Sequence, residues 1–192
     1  MPKHENRPAR SDAQSNRNRI LEVALTELTR SKDVPLSLIA KKVGVGQGTL
    51  YRHFPDREAL VLAVYQHETE EVAATAAALL RIHAPDRALR EWMDHLARYA
   101  ITKAGLADAV RQATARQTTT ENQKYAPVTA AAELLLRAGE RAGTIRPGVS
   151  ADDFFLAVAG LWQLDSRTDW QPKLAWLLDL VMDGLRVGAP NA

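Results

Sequence analysis

The sequence predicts an all-α protein of about nine helices, in which a small three-helix unit precedes a longer helical bundle. Three observations carry this. Large apolar residues recur at three- and four-residue intervals along most of the chain, and no stretch alternates apolar with polar residues as a half-buried strand would. Proline and glycine punctuate those runs at Pro35, Gly44, Pro55, Pro85, Gly143 and Pro147. Residues 39 to 54, Ile-Ala-Lys-Lys-Val-Gly-Val-Gly-Gln-Gly-Thr-Leu-Tyr-Arg-His-Phe, read as two short helices joined by a glycine-centred turn.

Residues 1–14 are polar, with Lys3, Arg7 and Arg10 among them, and are expected to form a flexible basic arm. The first helix begins near Asn16, where Ile20, Leu21, Ala24, Leu25 and Leu28 make one stripe. Ser31-Lys32-Asp33 ends it, and Pro35 restarts the chain with φ already set for a helix. The second helix, Leu36 to Val43, turns Ile39, Ala40 and Val43 inward, and Gly44 supplies the left-handed residue of a tight reversal. Val45 plugs the core at the turn. The third helix, Gln47 to His53, offers the core only Leu50 and part of Tyr51, with Phe54 at its end, so its remaining surface must face something else. Asp56 caps a long fourth helix reaching toward Leu80, with Ala59, Leu60, Ala63 and Val64 on its inner side.

Pro85-Asp86 opens a fifth helix with the stripe Leu89, Trp92, Met93, Leu96 and Tyr99, which Gly105 breaks before a short piece from Leu106 to Ala115. Residues 116–124 read as loop or frayed helix. A seventh helix runs from Ala130 to Ala142. Ser150 and Asp153 form a variant capping box for an eighth, carrying Phe154, Phe155, Val158, Leu161 and Trp162. The ninth, after Pro172, holds Leu174, Leu177, Leu178, Val181, Met182 and Leu185. The domains expected are an arm at 1–14, a helix-turn-helix unit at 15–60 and a bundle at 61–192.

Composition narrows the function classes. The chain has 192 residues, 46% of them hydrophobic, enough for one or two domains with real cores. It has no cysteine, which excludes disulfides, thiolate metal sites and thiol nucleophiles. No apolar run approaches the roughly 20 residues that cross a bilayer, and the first thirty residues contain no signal-peptide core, so a cytoplasmic protein is expected. The charge is uneven. Residues 1–60 contain eleven Lys/Arg and seven Asp/Glu, a net of +4, whereas the rest has fourteen against sixteen, a net of −2. A basic amino-terminal third joined to a slightly acidic remainder fits a nucleic-acid-binding end attached to something else.

The third helix carries hydrogen-bonding side chains where a packing helix carries leucines. An α-helix fits the B-DNA major groove, so each of these side chains has a chemical role available. Gln47 can bond adenine through two contacts; Thr49 suits a thymine methyl or a phosphate; Arg52 suits guanine or a phosphate. Gly48 leaves room for close backbone approach, while Tyr51, His53 and Arg57 are suited to phosphates, which fix register without reading sequence. A small solvated three-helix unit that touches no DNA has the same local pattern.

Residues 17–64 closely resemble the DNA-binding domain of the tetracycline-repressor (TetR) family. The match rests on Ile39-Ala40, Gly44-Val45, Gly48-Thr49-Leu50-Tyr51, His53-Phe54 and Asp56-Arg57-Glu58-Ala59-Leu60. The resemblance implies that Gln47, Thr49, Tyr51, Arg52 and His53 fall where the family contacts DNA. It also matches Arg57 to a phosphate contact and Ser37 to a groove-reaching position of the second helix. Two positions depart from the family pattern: Pro35 replaces a usual threonine cap, and Gly46 a usual serine cap. Glycine is an acceptable cap, a few tenths of a kcal/mol weaker than serine.

For residues beyond 60 the resemblance implies a ligand-binding bundle that dimerises through its last two helices, giving a repressor that leaves a palindromic operator when a small effector binds. The effector-site candidates are Trp92, His95, Leu96, Tyr99, Phe155, Trp162 and Gln163, although an aromatic stripe at helical spacing is more often core than cavity. Arg111 and Arg116 suit an anionic ligand. No cofactor or metal is expected: His67 and Glu71 are half a metal site, and Asp152-Asp153 sits where a helix start favours acids. Two rivals remain open, an α-helical ligand-binding or scaffold protein whose corner does not bind DNA, and an activator of the same family.

Overall fold

A computed structural model of the chain describes residues 7–31, 33–103, 106, 110, 122–165 and 167–188, with the side chains of 7–13, 122–125, 162 and 163 outside the described set. Its helices are α1 (Arg7–Arg30), α2 (Leu36–Val43), α3 (Gln47–His53), α4 (Arg57–Ile82), α5 (Pro85–Thr102), α6 (Asn122–Arg141), α7 (Ala151–Val158) with a 3-10 turn (Ala159–Gln163), and α8 (Gln171–Leu185). Among the described residues there is no strand, and one antiparallel bridge joins Ile145 to Arg186. The all-α prediction holds.

Two compact units result, Met1–His67 with Ala104–Thr119, and Glu68–Lys103 with Thr120–Ala192. The division falls within α4 after His67, not after Leu60, because Leu60, Val61 and Val64 all pack into the first core. That core is built from Ile20, Leu21, Ala24 and Leu28 of α1 and Ile39, Ala40 and Val43 of α2, with Leu50, Phe54, Leu106 and Val110 completing it. Leu106 and Val110 are helical and buried; the rest of the short helix read at 106–115 lies outside the described residues. In the second unit α5 packs on α6 and α8 around Trp92, Leu135, Phe154 and Leu174. The indole Nε1 of Trp92 donates to the Val72 carbonyl of α4 at 3.0 Å, which satisfies the one polar atom of this fully buried side chain.

Three boundaries differ from the sequence reading. Helix α1 starts at Arg7, inside the segment read as a flexible arm. The apolar stripe begins only at Ile20, but Ala, Arg and Gln propagate a helix without one, and Pro8 suits a first turn. Helix α6 starts at Asn122, eight residues before Ala130, and carries Pro127 within it. Helix α7 ends at Val158 and tightens into the 3-10 turn, so the expected continuous eighth helix is two pieces. Gly160, a weak helix former, sits in the tightened part.

The caps formed as the sequence implied. Asp153 N–H donates to Ser150 Oγ at 3.1 Å and Ser150 N–H donates to Asp153 Oδ2 at 3.3 Å, closing the capping box of α7. The Ser150 hydroxyl and amide hold the Asp153 carboxyl below its ordinary pKa. A depressed carboxylate stabilises the fold above its unfolded pKa of about 3.9 and loses that contribution as pH falls through the folded value. Ser150→Ala is expected to lower the melting temperature by about 2–4 °C at pH 7. The difference from wild type should shrink below about pH 4, which thermal melts across a pH series will check.

Candidate nucleic-acid interface

The corner that presents α3 is set by backbone conformation. Gly44 has φ 78°, the left-handed region that glycine enters at no cost, and its N–H closes on the Ala40 carbonyl at 3.0 Å. Val45 N–H bonds the same carbonyl at 3.1 Å. Extended Gly46 then starts α3, and its carbonyl accepts from Thr49 and Leu50 at 2.9 and 3.2 Å. Pro35, also extended, stands at the N-cap of α2, and neither cap supplies a side-chain hydrogen bond. At the other end Phe54 N–H bonds the Leu50 carbonyl at 2.9 Å, and Asp56 Oδ1 accepts the Ala59 N–H at 2.7 Å to cap α4.

Leu50 is the one buried residue of α3, fully enclosed, and Phe54 just beyond it is buried too. Around these two anchors Gln47, Gly48, Tyr51 and Arg52 are exposed, and Thr49 and His53 are half-buried. Ser37 is exposed on α2, and Arg57 is half-buried in the first turn of α4. The eight predicted positions thus lie on α2, α3 and the first turn of α4, all within the first unit. Arg52 Nε donates to the Gly48 carbonyl at 3.2 Å, so one of its five donors braces its own helix. Tyr51 and Arg57 share an open depression of about 530 Å³ with Asp33, Val34, Pro35, Leu36, Pro55 and Asp56.

Gly48 has no internal reason to be glycine. Its φ is not positive, and a Cβ built there meets nothing within 4 Å. Glycine inside a helix costs roughly 0.5–1 kcal/mol relative to alanine. Gly48→Ala is therefore expected to raise stability by about 0.5 kcal/mol in urea denaturation while weakening DNA binding, because the added methyl stands where a duplex would approach.

Sequence reasoning missed the polar ties behind this surface. Glu27 of α1 is 7% exposed and accepts from Lys42 Nζ of α2 at 2.6 Å and Arg30 Nη1 at 3.5 Å. Its place between Ala24 and Leu28 on the buried stripe was the available signal. Arg19 Nη2 donates to the Val43 carbonyl at 3.2 Å, at the end of α2 where orphan carbonyls favour a cation.

The effector candidates are not gathered in the same way. Trp92 and Leu96 are core residues, Phe155 packs partly buried against that core, Tyr99 is half-buried with Lys103 Nζ 5.1 Å from its ring, and His95 is exposed. The side chains of Trp162 and Gln163, and all of Arg111 and Arg116, lie outside the described residues. No group of three or more His, Cys, Asp and Glu among the described residues is placed to hold a metal ion, and no described helix is long and apolar enough to cross a membrane.

Comparison with known proteins agrees with this geometry. Residues 31–64 match the family model described as bacterial regulatory proteins, tetR family, and residues 84–187 match the SbtR-like transcriptional regulator C-terminal domain. A TetR transcriptional regulator from Streptomyces coelicolor is 38% identical, with 92% of this chain and 99% of that one covered at a TM-score of 0.75. A TetR regulatory protein from Mycobacterium vanbaalenii is 33% identical, covering 94% and 100% at a TM-score of 0.71. A helix-turn-helix transcriptional regulator of Staphylococcus aureus is 41% identical over 63 residues, 32% of this chain and 34% of that relative, so the chain spans about a third of the length of the curated relatives it matches. With both family models matched in order and whole-length structural relatives above 30% identity, the chain belongs to the TetR family of transcriptional regulators.

Proposed function

We propose that this regulator is a repressor that binds a palindromic operator as a homodimer in the cytoplasm and leaves it when a small molecule binds the second unit. The observation that carries the DNA-binding part is α3 itself, a seven-residue helix with one buried side chain and an outer face of Gln47, Gly48, Tyr51 and Arg52. Ser37, Thr49, His53 and Arg57 extend the contact set. Reading two half-sites requires recognition helices about 34 Å apart, which a twofold dimer supplies.

Exposed apolar surface supports dimerisation through the last two helices. Helix α8 buries Leu174, Leu178, Met182 and Leu185 on one face and leaves Trp176 and Leu180 58% and 55% exposed on another. Leu156 on α7 is 76% exposed. Leu180→Asp is expected to convert a dimer into a monomer in sedimentation or light scattering. A variant that stays dimeric would move the interface elsewhere.

The effector site in this reading draws on Tyr99, Leu96 and Phe155, with Trp92, His95, Trp162 and Gln163 as further candidates. Ligand binding would act through α4, which has residues in both units, by favouring the state whose recognition helices mismatch the operator. Fluorescence anisotropy with DNA from the gene's own upstream region, against scrambled DNA across a salt series, tests the proposal. A preference of about a hundredfold that weakens with salt supports specific regulation. Equal weak binding to both DNAs counts against that operator. Reporter output on deletion separates a repressor from an activator.

A further inference from the structure

One cation beside α3 has no assigned role. Arg17 of α1 places its guanidinium carbon 5.4 Å from the centroid of the Phe54 ring. Phe54 is 2% exposed and terminates α3, and the His53 ring lies 6.2 Å from it. A cation held over a ring face by this contact spends none of its five hydrogen-bond donors on it. Arg17 is half-exposed and makes no hydrogen bond or ion pair with another described residue. Arg19, two residues along the same helix, is occupied with the Val43 carbonyl. The two arginines carry equal charge and are held quite differently.

We propose that Arg17 is a DNA-phosphate contact: the Phe54 ring holds the guanidinium at the end of α3, leaving its donors to meet the backbone flanking the groove that α3 enters. The ring contact restricts the side chain before DNA arrives, so less freedom is lost when the phosphate contact forms. The contact reads no base, since phosphates fix position without sequence information. It extends the footprint from the helix-turn-helix to α1, and it rests on the DNA-binding reading above.

The test needs no operator, because non-specific binding is itself driven by phosphates. Full-length protein is titrated against a mixed-sequence duplex of about 30 base pairs, long enough for two half-sites one turn apart, from 50 to 200 mM salt, with thermal melts alongside. Arg17→Ala is expected to reduce the slope of log K against log[salt] by about one per protomer engaged, with Arg17→Lys keeping most of it and Arg19→Ala leaving it unchanged. If Arg17→Ala melts early, Arg17→Gln keeps much of the stem and removes the charge. A wild-type slope in Arg17→Ala and Arg17→Gln overturns the proposal, as does an equal fall in Arg19→Ala, which would make the effect one of bulk charge. A wild-type protein with no salt-dependent binding at all would instead sink the DNA-binding reading and this proposal with it.

Discussion

Replacing Tyr51 and Arg52 together with alanine is expected to weaken binding to the DNA that the wild-type protein selects by at least about a hundredfold, with little change in folding. Each lost base or phosphate contact is worth about 1–3 kcal/mol, and the proposed dimer would lose both contacts twice. At 1.4 kcal/mol per decade, even the low end exceeds a factor of a hundred. Both residues are exposed, and neither appears in the core that Leu50 and Phe54 help to build, so melting should stay within a few degrees of wild type. Anisotropy and circular dichroism on the same preparation check both halves. Undiminished affinity in a folded variant would favour the scaffold reading, in which the corner never meets DNA.

Gly139→Ala should have the largest effect on stability among the helical glycines, and with the opposite sign to Gly48→Ala. A Cβ at Gly139 would lie 2.3 Å from Ile145 Cγ1 and 2.9 Å from Ile145 Cβ. Ile145 cannot easily retreat. It is 1% exposed, its own N–H bonds the Gly139 carbonyl at 3.2 Å, and its neighbour Arg146 donates to the Leu185 carbonyl at 2.8 Å. The side chain that must move is tied by backbone bonds to the end of α6 and to the chain leaving α8. Overpacking of this kind costs about 1–3 kcal/mol, against about 1 kcal/mol gained in helix propensity. The net expectation is a fall of several degrees in melting temperature, near 2–4 °C per kcal/mol for a chain of this size. A melting point equal to or above wild type would mean that the loop at Ile145 yields freely.

Spacing identified the α3 corner because its signals are local: Gly44 for the reversal, Leu50 as lone anchor, polar side chains around it, Asp56 as cap. The inner stripes of α1, α5 and α8 were legible for the same reason, with Ile20, Trp92 and Leu174 where the period placed them. Contacts beyond a single helical turn were not. Nothing around Gly139 announces that Ile145, beyond the end of α6, returns against it, and nothing around Glu27 announces Lys42 on α2. Periodicity likewise marked Trp92, Leu96 and Phe155 as apolar but could not distinguish a lining from a filling, since both need the same residue types. The start of α1 was missed because an apolar stripe signals burial, and its first turns have none.

The single buried side chain of α3 has a consequence for engineering. Positions 47, 51 and 52 can be randomised with helix propensity as the main restraint, because all three are exposed and Leu50 and Phe54 still seat the helix. Most members of such a library should remain folded, so selection on new DNA would sample sequence preference almost independently of solubility. On the proposed reading, the address is then a replaceable cassette carried by a corner that folds without it.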